Sequence, residues 1–85
     1  MAEHNITLYL KDGCHLCEQA RVLLERLDDA GRYGRLNISE VDINSDPELF
    51  ARYQYVIPVI EIDERAHLEA PISATDLRAA LEMLT

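Results

Sequence analysis

The only two cysteines of the chain fall within Lys11-Asp12-Gly13-Cys14-His15-Leu16-Cys17, where an apolar segment, Ile6-Thr7-Leu8-Tyr9-Leu10, gives way to a helical pattern beginning at Leu16. A chain with this junction has to leave a strand, turn at Asp12-Gly13, and open a helix beside the first cysteine. A thiol at a helix N-terminus meets unsatisfied backbone N–H groups and the positive end of the helix dipole, and both favour the thiolate. Cys14 is therefore the candidate nucleophile. Cys17, one helical turn on, is close enough to attack a mixed disulfide formed at Cys14 and release the product.

The rest of the chain continues the alternation of strand and helix. Ile6 to Leu10 is apolar nearly throughout and reads as a central strand. Leu16, Ala20, Leu23, Leu24 and Leu27 then form one helical stripe, with Gly31 as its stop. Leu36 to Ile43 reads as a second strand before the turn-rich Asn44-Ser45-Asp46-Pro47. Asp46 as N-cap with Pro47 after it, or a Ser45–Glu48 capping box, starts a short helix ending near Gln54 and turning Leu49, Phe50 and Tyr53 inward. Tyr55 to Asp63 is the most strand-like stretch, and a turn at Asp63-Glu64-Arg65 leads back through Ala66-His67-Leu68. Ser73-Ala74-Thr75-Asp76 is a capping box for a last helix that buries Leu77, Leu81 and Leu84.

The order β-α-β-α-β-β-α makes the first two strands parallel and the last two an antiparallel hairpin. The expected fold class is α/β, a mixed four-stranded sheet with helices on both faces. Its 85 residues suit a single domain, 1–85.

Charge narrows the partners. The net charge of −8 argues against nucleic acid and anionic membrane, since binding phosphates needs a basic face. Residues 1–36 carry six acids and five bases, whereas residues 37–85 carry ten and three, so the cysteine end is the less acidic. No apolar run reaches the roughly 20 residues of a membrane span, and Met1-Ala2-Glu3-His4-Asn5 has no export pattern, so a cytoplasmic location is expected. Structural zinc is disfavoured. It needs four ligands, and beyond the cysteines there are only the scattered His4, His15 and His67.

Pro58 interrupts the strand-like Tyr55-Val56-Ile57-Pro58-Val59-Ile60-Glu61-Ile62-Asp63. A proline there starts a strand, marks an edge or bulge, or carries a cis bond, and the sequence leaves these open. If Val59 to Ile62 pairs beside the first strand, Pro58 lies close to the thiols.

Tyr9-x-Lys11, Gly-Cys-x-x-Cys opening a helix, and Val-Ile-Pro-Val-Ile before a hairpin and closing helix together resemble glutaredoxin on the thioredoxin fold, over essentially the whole chain. Gly13-Cys14-His15-Leu16-Cys17-Glu18, with Val41-Asp42-Ile43 and Arg52-Tyr53, is similar to a group of short, mostly bacterial glutaredoxin-like proteins of undefined role. The resemblance implies that Pro58 is cis and that the Ile57 backbone pairs with a bound thiol substrate. It also implies that Lys11 favours the thiolate and contacts the glycyl carboxylate of glutathione.

The match has gaps. His15-Leu16 replaces the usual Pro-Tyr of glutaredoxins and Gly-Pro of thioredoxins, and a protonated His15 would stabilise the thiolate. Glu69-Ala70-Pro71 stands where glutaredoxins carry Gly-Gly, and Tyr55 where they usually carry a cation, for which Arg52 is a substitute. Asp76-Leu77 keeps the following Asp-Leu, and the helix end there is a candidate anion site.

The expected function is dithiol-disulfide oxidoreductase: Cys14 and Cys17 catalytic, with Lys11, His15, Ile57, Pro58 and Asp76 binding substrate. It requires no cofactor, with glutathione a candidate co-substrate. Its partners would be a protein or small-molecule thiol or disulfide and an external reductant, either glutathione or a thioredoxin-type reductase, with the protein acting as a monomer. Two alternatives remain, a dimer bridged by a [2Fe–2S] cluster and a redox-inactive binding module of the same fold.

Overall fold

The computed structural model describes residues 3–85. Its elements run β1 (Glu3–Leu10), α1 (His15–Ala30), β2 (Arg35–Asp42), a 3-10 turn (Ile43–Ser45), α2 (Pro47–Tyr53), β3 (Val59–Ile62), β4 (Ala66–Glu69) and α3 (Ala74–Leu84). The four strands form one sheet in the order β2-β1-β3-β4. β1 pairs parallel with β2 and antiparallel with β3, and β3 with β4 is the antiparallel hairpin.

β1 is central, as its apolar character implied, yet it alternates. His4, Ile6, Leu8 and Leu10 are buried while Asn5 is exposed and Thr7 and Tyr9 are half-buried. The buried face continues into Ile60 and Ile62 through the pairs Leu8↔Ile60 and Ile6↔Ile62, and α1 and α3 cover it. Fully buried Leu24, Leu77 and Leu81 supply the helical side of that core, each worth about 1.5–3 kcal/mol relative to exposure. On the opposite face α2 packs Tyr53 against Tyr9, with ring centroids 4.9 Å apart.

The ends of α1 follow local chemistry. Cys14 is its N-cap, and Gly31 closes it in the left-handed conformation, φ 70°, with its N–H on the Asp28 carbonyl. The stripe on α1 differs at its start: Cys17, Ala20, Leu24 and Leu27 are the buried positions, and Leu16 is 51% exposed. Cys17, in the same first turn, takes the buried position, and Leu16 at the edge of that stripe is left half out. Phe50, expected inward, is likewise turned out at 39% exposure, because seven residues of α2 bury a single row ending in Tyr53.

Asp46 rather than Ser45 caps α2, accepting from the Glu48 N–H at 2.8 Å, while Ser45 Oγ donates to the Asp42 carbonyl inside the 3-10 turn. α3 has the expected capping box between Ser73 and Asp76. The third strand is shorter than its composition suggests. Tyr55 to Ile57 form a turn, with the Val56 and Ile57 N–H groups on the Tyr53 carbonyl, and Tyr55 is 90% exposed. The Ile57–Pro58 and Ala70–Pro71 peptide bonds are cis.

Candidate active site

β1 ends at Leu10, and Gly13, at φ 75°, reverses the chain so that Cys14 starts α1. Cys14 is half-buried and Cys17 is 2% exposed. The Cys17 N–H donates to Cys14 Sγ at 3.2 Å, and the Glu18 N–H to the Cys14 carbonyl at 3.2 Å. The two cysteines form a disulfide, with Cα atoms 5.2 Å apart. The more accessible sulfur is thus the one at the cap, and the other faces the core.

His15 is exposed on the first turn of α1 and shares a shallow recess with Gly13, Cys14 and Glu18. Glu18 does not stand there as a free negative charge. Arg21 Nη1 donates to its two oxygens at 2.9 and 3.0 Å, and the same guanidinium reaches Glu40 on β2 through Nε at 2.6 Å and Nη2 at 3.0 Å. Hydrogen bonding to Glu40 raises the Arg21 pKa further. Lys11 is half-buried one residue past the end of β1.

The pair Tyr9↔Val59 sets the start of β3 beside the end of β1. This brings buried Pro58 to the first turns of α1, where it lines one groove with Leu16, Leu23, Pro71 and Ile72. The Ile57 N–H is taken by the Tyr53 carbonyl at 3.2 Å, while the Ile57 carbonyl has no partner among the described residues. Asp76 is placed differently from the other candidates. Its carboxylate accepts from the Ser73 N–H at 3.1 Å, and hydrogen bonds with the Ser73 backbone and hydroxyl hold its pKa below the ordinary value. It opens toward the groove between β4 and α3.

Sequence reasoning does not single out Leu16, Leu23, Pro71 and Ile72, which the fold brings to the groove beside Pro58. The one signal is the apolar Leu16 between the cysteines, which also fits the helical stripe. Among the described residues, no three His, Cys, Asp or Glu side chains converge where they could share a metal ion, and no helix is long and apolar enough to cross a membrane.

Residues 5–82 match the glutaredoxin-like domain (DUF836). The chain belongs to this glutaredoxin-like family. Its fold is thioredoxin-like, as two kinds of solved structure show. The X-ray structure of the Northeast Structural Genomics target protein XcR50 from X. campestris is 35% identical, with a TM-score of 0.74 over 92% of this chain and 96% of that one. The solution structure of the same target gives 0.71 at 35% identity, covering 98% and 95%. The oxidised thioredoxin from Plasmodium falciparum shares the fold at 16% identity, with a TM-score of 0.67 over 98% of this chain and 82% of that one. No curated protein matches the chain. A glutaredoxin-like domain whose Cys-x-x-Cys pair forms a disulfide at a helix N-terminus supports thiol-disulfide redox chemistry in general.

Proposed function

We propose that the glutaredoxin-like protein is a dithiol-disulfide oxidoreductase with Cys14 as nucleophile and Cys17 as resolving thiol. The observation that carries this reading is the half-buried Cys14 Sγ at the N-cap of α1, accepting the Cys17 N–H, with Cys17 behind it. In the reduced protein the same N–H and the helix dipole stabilise a thiolate at Cys14. That thiolate attacks one sulfur of a substrate disulfide, forming a mixed disulfide and expelling the other sulfur as a thiolate. Cys17, deprotonated, then attacks Cys14 Sγ. The Cys14–Cys17 disulfide forms, the second substrate thiolate leaves, and two electrons have passed from the protein to the substrate.

An external thiol reductant, glutathione or a reductase, returns the pair to the dithiol in a reducing cytoplasm. No resident cofactor is needed. Lys11 and a protonated His15 add positive charge near Cys14, and the Ile57 carbonyl is available to accept an N–H of the substrate backbone. Pro58 walls the substrate side.

The test follows alkylation of Cys14 against pH and traps mixed disulfides with Cys17→Ser. The expected thiol pKa lies below the roughly 8.5 of a free cysteine, with substrate retained on Cys14. A pKa at or above that value, with nothing trapped, returns the protein to a redox-inactive binding module.

A further inference from the structure

The groove beside Pro58 has a character that the dithiol chemistry alone does not require. Its walls are Leu16, Ala20 and Leu23 of α1, Pro58 before β3, and Ala70, Pro71 and Ile72 before α3; Gln19 is the one polar side chain among them, and no charged side chain lines it. Leu16 lies between the two cysteines and is 51% exposed, an arrangement that burial within its own chain does not explain. The groove encloses about 140 Å³, room for one side chain. Leu16, two residues after Cys14, brings one wall of the groove close in the chain to the sulfur that a substrate would join.

The electrostatics point the same way. Glutathione brings two carboxylates, and the groove offers neither a lysine nor an arginine to receive them. The N-terminus of α3, which follows Ile72, already carries a carboxylate of its own chain, and that carboxylate faces the neighbouring groove between β4 and α3. Asp76 occupies the Ser73 N–H at 3.1 Å, and Ser73 Oγ takes the Asp76 N–H at 3.0 Å. The Ser73 N–H is therefore not free for an incoming anion, and the protein as a whole carries a net charge of −8.

We infer that the groove of Leu16, Leu23, Pro58, Pro71 and Ile72 selects peptide disulfides with an apolar side chain beside the reactive cysteine, in preference to glutathione disulfide. This rests on the dithiol-disulfide reading and names the substrate class for that site. The apolar side chain leaves water for the groove as Cys14 forms the mixed disulfide, so the gain is realised on the way to the covalent complex. The Ile57 carbonyl, free among the described residues, accepts an N–H of the extended substrate.

The experiment uses the protein of residues 1–85, kept turning over by an excess of a small dithiol reductant, with symmetric disulfides of short peptides that differ only in Leu, Ser or Asp beside the cysteine. Glutathione disulfide is the fourth substrate. The expected kcat/KM for the Leu peptide exceeds that for the Ser peptide by about tenfold or more, the range one apolar side chain gives in a fitted pocket. The Asp peptide and glutathione disulfide should be slower still. In Leu16→Asn and Ile72→Asn, the Leu-to-Ser ratio should fall toward one. Equal rates for the Leu and Ser peptides, faster turnover of glutathione disulfide, or a ratio that survives both substitutions would overturn the groove as selector while leaving the dithiol chemistry standing. Reduction of none of the four, with no adduct on Cys17→Ser, would overturn both.

Discussion

The backbone N–H of Cys17 donates to Cys14 Sγ at 3.2 Å, so the residue that would resolve the mixed disulfide also holds the nucleophile through its main chain. The two contributions can be separated by substitution. Cys17→Ser removes the resolving thiol and keeps the N–H. Cys17→Pro removes both, at a first-turn position where proline is tolerated. A hydrogen bond to a charged group is worth about 1.5–3 kcal/mol. Since about 1.4 kcal/mol equals one pKa unit, the Cys14 thiol in Cys17→Pro should titrate roughly one to two units above that in Cys17→Ser. Alkylation rates against pH read the difference, and identical profiles would assign the effect to the helix dipole alone.

Leu16 and Leu24 share a sequence stripe but not a role. Leu24 is fully buried in the core and Leu16 is half out beside the thiols. Leu24→Ala should cost about 2–5 kcal/mol of unfolding free energy. Leu16→Ala should fall within about 0.5 kcal/mol of the parent, as surface changes usually do. Urea titrations of the oxidised proteins compare them directly, and a large loss for Leu16→Ala would place that side chain in the core after all.

At the β3–β4 turn Asp63 and Glu64 sit at φ 55° and 58°, a conformation usually left to glycine or asparagine. Asp63 holds the turn from outside. Its carboxylate accepts from the Asn5 N–H at 2.7 Å and meets the buried His4 Nδ1 at 2.5 Å. Burial pushes the Asp63 carboxyl up, but the hydrogen bonds from His4 and Asn5 outweigh it and leave the pKa below the ordinary value. Asp63→Ala strands His4 without its Nδ1 partner and should destabilise the protein by about 1–3 kcal/mol. A depressed carboxyl stabilises the fold above its unfolded pKa, near 3.9, and that contribution fades as pH falls through the lower folded value. Acid titration should therefore show a smaller loss for Asp63→Asn than for the parent.

His67 on β4 sets the opposite sign. Its Nε2 lies 2.9 Å from Glu69 and its Nδ1 3.2 Å from Glu61. Hydrogen bonds to Glu69 first and Glu61 second raise its pKa. The stabilisation is complete below the unfolded histidine value of about 6.5 and is lost as pH climbs through the raised folded value. The parent should lose more stability than His67→Gln as pH rises above about 6.5, a change read from urea midpoints. Parallel losses in the two proteins would show that the carboxylates do not hold the imidazolium.

The placement of the two cysteines was legible because it is local. A strand, a glycine turn and a Cys-x-x-Cys opening a helix place a thiol at a helix N-terminus whatever the rest of the chain does. Gly31, Ser73 and Asp76 signalled helix ends in the same way, through backbone hydrogen bonds made within a few residues. The order of elements was enough for a mixed sheet, since alternation favours parallel pairing and a short turn demands a hairpin.

What depended on tertiary structure was which apolar residues face inward and which residues meet across the sheet. Leu16 and Phe50 fit helical stripes in the sequence, yet their neighbours Cys17 and Tyr53 take the buried positions and leave both half out. Tyr55 to Ile57 have strand composition, but only Val59 to Ile62 find Tyr9, Leu8, Thr7 and Ile6 to pair with. Asp63 and His4 are 59 residues apart along the chain, so no local pattern marks them as partners. The cysteine pair followed from sequence because its geometry is a property of one turn of helix. The apolar wall beside it needed three separated segments brought together by the pairing of β1 with β3, and only the folded chain supplies that.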